Sequence, residues 1–139
     1  MAALTVSVVT PDKDVVRGEV DQVTAPSVMG EVGILPDHLP LLADMEEGVI
    51  GLYKDGQKET YAVSGGFVEV DKNVVTILAE TAEKASEIDV KRSQKAIKEA
   101  NELLKKLGVD DPEYTEQQAR IRRAQVRLTA AGVSVEQSH

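Results

Sequence analysis

The chain of 139 residues has no cysteine and no tryptophan, and only two histidines, one phenylalanine and three tyrosines. Without cysteine there is no disulfide, no thiolate nucleophile and no thiolate zinc site, and His38 and His139 are too few for a histidine cluster. No metal centre is expected. A core without large aromatics must be built from Val, Ile, Leu and Ala, which suits packed strands and slim helices. Long apolar runs are missing as well: no window approaches the ~18 apolar residues of a membrane span, and Met1 to Val9 has no basic stretch leading an apolar one. The expectation is a mature, soluble protein of a reducing compartment. Positive charge is scarce, with 16 basic against 24 acidic residues and a net charge of −8, which opposes general nucleic-acid binding because phosphate contacts need a surplus of Lys and Arg.

The charge is unevenly placed. Residues 1–85 hold 15 acids and 6 bases, whereas 86–139 hold 9 acids and 10 bases. Two segments of different composition are fused near Ala85, and the hydrophobic period changes there too. Before it, Leu4, Val6 and Val8 alternate, Thr10-Pro11-Asp12-Lys13 supplies turn chemistry, and a second strand continues through Val15-Val16 and Val20 to Ala25 as far as Pro26. Val32 to Leu35 is a short strand running into a loop stiffened by Pro36 and Pro40. Asp55-Gly56 between Val49–Tyr53 and Thr60–Val63 predicts a hairpin, and Asp71-Lys72-Asn73 joins Phe67–Val70 to Val74–Leu78 in another. Short strands at such spacing predict a small antiparallel sandwich or barrel over 1–85.

After Ala85, Ser86 and Asp89 resemble a capping box, and Ile97, Ala100, Leu103, Leu104 and Leu107 recur at helical spacing up to Gly108 as a glycine cap. Asp111 as N-cap and Pro112 at the first position open a second helix, with Tyr114, Ile121, Ala124, Leu128 and Ala131 on one side and Gly132 at its end. The short connector predicts an antiparallel two-helix hairpin over 86–139, with Val133 to His139 as a frayed tail. The fold class is thus α+β, mainly β then α. Alanine-rich facing stripes bury little area, so the hairpin is expected to be marginal alone and switchable.

Catalysis is not expected. No Gly-x-Ser-x-Gly elbow exists, Ser64-Gly65-Gly66 has no histidine near it in sequence, and Gly51 to Lys58 copies only the spacing of a phosphate loop, inside a hairpin. Glu31 and His38 lie in the proline-stiffened region Gly30–Leu42, where a rigid backbone favours recognition; the alternative is that His38 fills a polar gap beside Pro36 and Pro40. Of six arginines, four fall between 120 and 127, and Arg120, Arg123 and Arg127 share a helical face. Such a cluster suits phosphate or an acidic protein surface, unless Glu116 pairs with Arg120 on a merely solvated face. Asp89 and Arg92, three apart, read as an intrahelical ion pair behind a cap.

Taken together, Thr10-Pro11, the run Gly-Glu-Val-Gly-Ile-Leu-Pro-Asp-His-Leu-Pro-Leu-Leu from Gly30 to Leu42, Ser64-Gly65-Gly66-Phe67, Val74–Leu78, Ala82-Glu83, Ile88-Asp89 and Arg123-Ala124-Gln125-Val126-Arg127-Leu128 resemble the epsilon subunits of bacterial and chloroplast rotary ATP synthases. The resemblance implies a non-catalytic rotor part that joins the gamma subunit to the c-ring, peripheral to the cytoplasmic face of a bacterial inner membrane. It implies that Glu31 and His38 face the c-ring. It implies further that the helical hairpin can extend and inhibit ATP hydrolysis, with Arg120, Arg122, Arg123 and Arg127 meeting an acidic segment of a catalytic beta subunit. No cofactor is required, but some members bind regulatory ATP through an Ile/Leu-Asp-x-x-Arg-Ala motif, which Ile88, Asp89 and Arg92 match; Glu83, Arg123 and Arg127 stand where its helpers would be. Ser93 replaces the motif's alanine, and Glu99 stands where some ATP-binding members carry arginine, so its carboxylate would repel phosphate. The rival reading from another class is a free-standing nucleotide-sensing or scaffold module.

Overall fold

The computed structural model describes residues 3–133. One compact unit runs to Lys84 and a second begins at Ala85. The first is a sandwich of two five-stranded sheets. One has the order β2 (Asp14–Val20), β1 (Leu4–Val9), β9 (Val74–Leu78), β8 (Phe67–Asp71), β5 (Leu41–Asp44). The other runs β10 (Thr81–Lys84), β7 (Gln57–Ser64), β6 (Gly48–Lys54), β3 (Gln22–Ser27), β4 (Gly30–Ile34). All pairings are antiparallel except β1 with β9, which is parallel.

Alternating side chains meet between the sheets. Leu4, Val6, Val8, Val68, Val70, Val75 and Ile77 from the first sheet pack with Val23, Ala25, Ile34, Ile50, Leu52, Tyr61 and Val63 from the second. The core is aliphatic, as the composition requires. Its one aromatic member is Tyr61, whose hydroxyl donates to Glu59 at 3.3 Å, while the single phenylalanine, Phe67, stands on the outer face of β8. Both expected hairpins form over two-residue turns with left-handed central residues, Asp55 and Gly56 (φ 52° and 78°) and Lys72 and Asn73 (φ 49° and 64°).

The structure departs from the sequence reading in three places here. The stretch from Val15 to Pro26 is two strands rather than one: the chain changes sheet at Asp21, whose N–H donates to Tyr53 O at 2.7 Å. Pro26 does not end β3, because it lies beyond the Gln22–Thr24 run that pairs with β6, where its missing donor is not needed. Strands β5 and β10, four residues each, are additional to those expected.

The second unit is a helical hairpin. A 3₁₀ turn, Ala85–Glu87, precedes α1 (Val90–Leu104), and α2 spans Pro112–Ala130. The capping box does not form. Asp89 is itself the N-cap of α1, and its Oδ1 accepts the Arg92 N–H at 3.0 Å. Nor does Gly108 cap α1, which stops at Leu104 and unwinds through tighter turns at Lys106 and Leu107. For α2 the expectations hold: Asp111 accepts from Glu113 N at 2.9 Å, Pro112 occupies the first turn, and Gly132 (φ 79°) terminates it. Gly132 N–H donates to Thr129 O and Val133 N–H to Leu128 O, the paired bonds of a Schellman cap. The remainder of the expected tail lies outside the described residues. Buried side chains of the hairpin are Ser93 and Ala100 on α1 and Gln117, Ala124, Leu128 and Ala130 on α2. Mostly small, they permit close helix approach but remove little apolar area from water.

Candidate functional site

The candidate residues fall on three surfaces. The first is the turn between β3 and β4. Ser27, buried, donates through Oγ to Gly30 O at 2.6 Å and accepts the Met29 N–H at 3.1 Å, and Gly30 takes φ 111°, so the turn is built from within. Its tip is apolar: Val28 is 54% and Met29 92% exposed. Glu31, exposed, follows in β4 opposite Pro26. A methionine almost wholly in water at a hairpin tip takes no part in the core and leaves its apolar area open to a contact.

The second surface is the loop over residues 35–40, with Leu35 56% and Leu39 79% exposed. His38 is half-buried, and its Nδ1 lies 2.6 Å from Leu39 O, which identifies Nδ1 as the protonated nitrogen donating to that carbonyl. Glu31 and His38 are not brought together. The Val28 N–H donates to Asp44 O, and Asp44 pairs with Phe67, so the Glu31 turn lies at the Phe67 end of β8; Asp37 bonds Asn73, so the His38 loop lies at the far end of the β8–β9 hairpin. Five residues of strand separate the two ends, roughly 13–16 Å.

The third surface is the hairpin. The Asp89–Arg92 ion pair expected from spacing is replaced by the cap, since Asp89 binds the backbone of Arg92 and not its guanidinium. Ile88 is buried, Ser93 is buried and Arg92 exposed. On α2 the arginines part company. Arg120 turns into the hairpin, with Nη2 3.0 Å from Glu99 Oε2 of α1 and Nη1 3.5 Å from Gln117 Oε1. Glu99 also draws in Lys95 at 3.8 Å, so its carboxylate is compensated from two sides. Glu116 pairs with Arg123, at 4.0 Å, rather than with Arg120. Arg122 and Arg127 are exposed, and among the described residues Arg122 has no ion pair. Glu83 belongs to β10 of the sandwich, whereas the other candidate nucleotide residues belong to the hairpin.

Sequence reasoning passed over the exposed apolar residues Val28, Met29, Leu35, Leu39 and Leu42 and, on the outer face of the first sheet, the cross-strand neighbours Phe67 and Leu78. The available signal was Val28-Met29 where a two-residue turn normally carries polar residues. Among the described residues, no group of three or more His, Asp or Glu could hold a metal, and no helix is long and apolar enough to cross a membrane. The Gly51–Lys58 run is confirmed as a hairpin, with Lys58 Nζ 5.3 Å from the Tyr53 ring centroid.

Comparison with known proteins covers both units. Residues 3–85 match the β-sandwich domain of the ATP synthase delta/epsilon chain, and residues 86–132 match its long α-helix domain. An ATP synthase epsilon chain of Anaeromyxobacter dehalogenans is 44% identical over 94% of this chain and 98% of its own length, and one of Halalkalibacterium halodurans is 45% identical over 95% and 99%. Among solved structures, a chain of the Euglena gracilis mitochondrial ATP synthase (OSCP/F1/c-ring, rotational state 1) superposes with TM-score 0.81 at 25% identity, covering 94% of this chain and 82% of that one. A chain from the central stalk and c-ring of the Tetrahymena thermophila mitochondrial enzyme shares the fold, with TM-score 0.60 at 15% identity over 92% and 96%. With both of its domains matched in order and epsilon chains aligned along nearly their whole length, the chain belongs to the ATP synthase epsilon chain family.

Proposed function

We propose that this chain is a non-catalytic rotor subunit of a proton-translocating ATP synthase, joining the gamma subunit to the c-ring at the cytoplasmic face of a bacterial inner membrane without entering it. The observation that carries the reading is the pair of domain matches spanning residues 3–132 in family order. The sandwich supports it with two apolar, backbone-braced contact segments. The turn bearing Val28, Met29 and Glu31 is assigned to the polar loops of the c-ring, and the loop bearing Leu35, His38 and Leu39 to a second, separate rotor contact. Two contacts at opposite ends of β4 transmit torque better than one, since a single patch leaves the sandwich free to pivot.

The test uses ATP synthase membranes depleted of their epsilon chain. The full chain is expected to restore ATP-driven proton pumping, and Glu31→Lys together with Met29→Asp to lower its apparent affinity at least about tenfold, the range for placing charge in an apolar contact. Unchanged attachment of that variant sinks the c-ring assignment and favours the scaffold module.

We also assign regulatory ATP binding to Ile88, Asp89, Arg92, Arg123 and Arg127 of the hairpin. What supports it is the compensation of Glu99 by Arg120 and Lys95, which lessens the repulsion its carboxylate offers a phosphate. Calorimetric titration of the full chain with ATP is expected to give a saturable heat absent with AMP and lost in Arg123→Ala/Arg127→Ala. No ATP-specific heat up to millimolar concentration removes the assignment.

A further inference from the structure

The loop over residues 35–40 has no strand or helix of its own, yet it is held at its centre by one distant residue. Asp37, at φ 66°, donates its backbone N–H to Asn73 Oδ1 at 2.6 Å, and Asn73 Nδ2 donates back to Asp37 Oδ1 at 3.2 Å. Asn73 is the second residue of the β8–β9 turn, itself left-handed at φ 64°, and its carbonyl accepts the Thr5 N–H at 2.8 Å. One residue thus ties the loop, the hairpin turn and β1 together across a sequence separation of 36 from Asp37. Among the described residues these are the hydrogen bonds that leave the loop. Inside it, His38 N–H donates to Leu35 O at 3.2 Å and Pro36 and Pro40 stiffen the flanks, so the loop is braced from within as well as at the Asp37–Asn73 clasp.

We infer that Asn73 is a positioning residue: its side chain fixes where the loop presents Leu35, His38 and Leu39 to the rotor, although it lies outside that apolar surface. The inference rests on the reading of this loop as a rotor contact. Pre-setting a loop in its bound placement removes an ordering cost from association, so an unclasped loop binds more weakly with every contact residue still present. Both members need an amide or acid side chain that tolerates the left-handed region, which Asp and Asn do. The clasp also has a polarity that can be reversed. In Asn73→Asp the returning donor is lost and two carboxylates face each other; adding Asp37→Asn restores a donor on the opposite side.

The experiment uses the full chain with three variants, Asn73→Asp, Asn73→Gly and the Asp37→Asn/Asn73→Asp exchange, and two readouts. Hydrogen exchange at the Asp37 amide reports the clasp, and affinity for epsilon-depleted ATP synthase reports docking. Asn73→Gly, which removes the acceptor of the Asp37 N–H, is expected to raise Asp37 exchange about tenfold, whereas Asn73→Asp keeps that acceptor and loses only the returning donor; both are expected to weaken docking about tenfold with the thermal unfolding of the sandwich little changed, since glycine and aspartate both accept the turn. The exchanged pair is expected to recover the docking lost in Asn73→Asp, which a residue acting only through its turn would not do. Unchanged Asp37 exchange in Asn73→Gly, or failure of the exchanged pair to restore docking, overturns the inference. Leu39→Asp separates the two levels. If it weakens docking while Asn73→Asp does not, the positioning role fails and the loop remains a rotor contact; if neither weakens docking, the rotor-contact reading fails and the inference with it.

Discussion

Gly66→Ala is expected to unfold the sandwich under conditions in which Gly65→Ala leaves it folded. Gly66 lies where the chain passes from β7 to β8, directly over the passage from β9 to β10. A Cβ on Gly66 would stand 1.8 Å from Leu78 O, 2.8 Å from Leu78 C and 2.9 Å from Ala79 Cα, all backbone atoms with no rotamer to adopt. Both chain passages are fixed: Gly66 O accepts the Met45 N–H at 2.8 Å, Ala79 N–H donates to Val9 O at 3.0 Å and Glu80 N–H to Ser64 O at 3.1 Å. Relief of the overlap must therefore break hydrogen bonds in both sheets. The residue also sits at φ 100°, outside what an L side chain adopts without strain. Overpacking and backbone strain together should destabilise the sandwich by about 3 kcal/mol or more. For a unit of this size that lowers Tm by roughly 12–24 °C. Gly65, at φ 59°, is the control, because a Cβ there meets only the Glu80 side chain at 3.5 Å, and the cost is the left-handed term of about 1–2 kcal/mol. Urea or thermal unfolding of both variants decides the matter; equal losses would show that backbone conformation and not the crossing of the two passages makes glycine necessary.

How much of this was legible in the sequence follows from how local each determinant is. The Asp55-Gly56 and Lys72-Asn73 turns were legible because the requirement for left-handed backbone is met within the dipeptide itself. The Asp111-Pro112 start and the Gly132 stop of α2 were legible for the same reason. Strands β5 and β10 were not, because each pairs on one side only and buries no side chain fully, leaving no periodic signal. The change of sheet at Asp21 was hidden because alternation with period two reads the same on either sheet. At the candidate site, the arginine cluster was visible, but the division within it was not. Arg120 is held by Glu99, 21 residues away on the other helix, and no spacing rule within one helix reports such a pair. The Asp37–Asn73 clasp is likewise a product of tertiary packing.

Full inhibition of ATP hydrolysis is expected from the complete chain and none from a version ending at Ala85, when each is added to an epsilon-depleted catalytic head. The sandwich has its own aliphatic core, so the shorter chain keeps its rotor contacts while lacking the arginines. Opening of the folded hairpin is expected to cost little, because the side chains buried on α1 and α2 are Ser93, Ala100, Gln117, Ala124, Ala130 and a single leucine, Leu128, and the cross-helix pair Glu99–Arg120 is half-exposed and contributes at most about 1 kcal/mol. Arg122 is the sharpest probe of the contact itself. Without an ion pair among the described residues, it can be reversed without breaking one in the hairpin. Arg122→Glu combined with Arg123→Glu and Arg127→Glu should weaken inhibition at least about thirtyfold in apparent affinity, corresponding to about 2 kcal/mol for charge reversal against an acidic surface. Arg120→Gln should act differently: by freeing Glu99 it loosens the hairpin, so inhibition is expected to persist or strengthen while helix packing weakens. Rising salt should relieve inhibition by the wild-type chain, because the contacts are charge on charge. If the triple reversal inhibits as well as the wild type, the arginines are surface residues and the hairpin does not regulate through them; if the shorter chain inhibits equally, the hairpin has no part in inhibition at all.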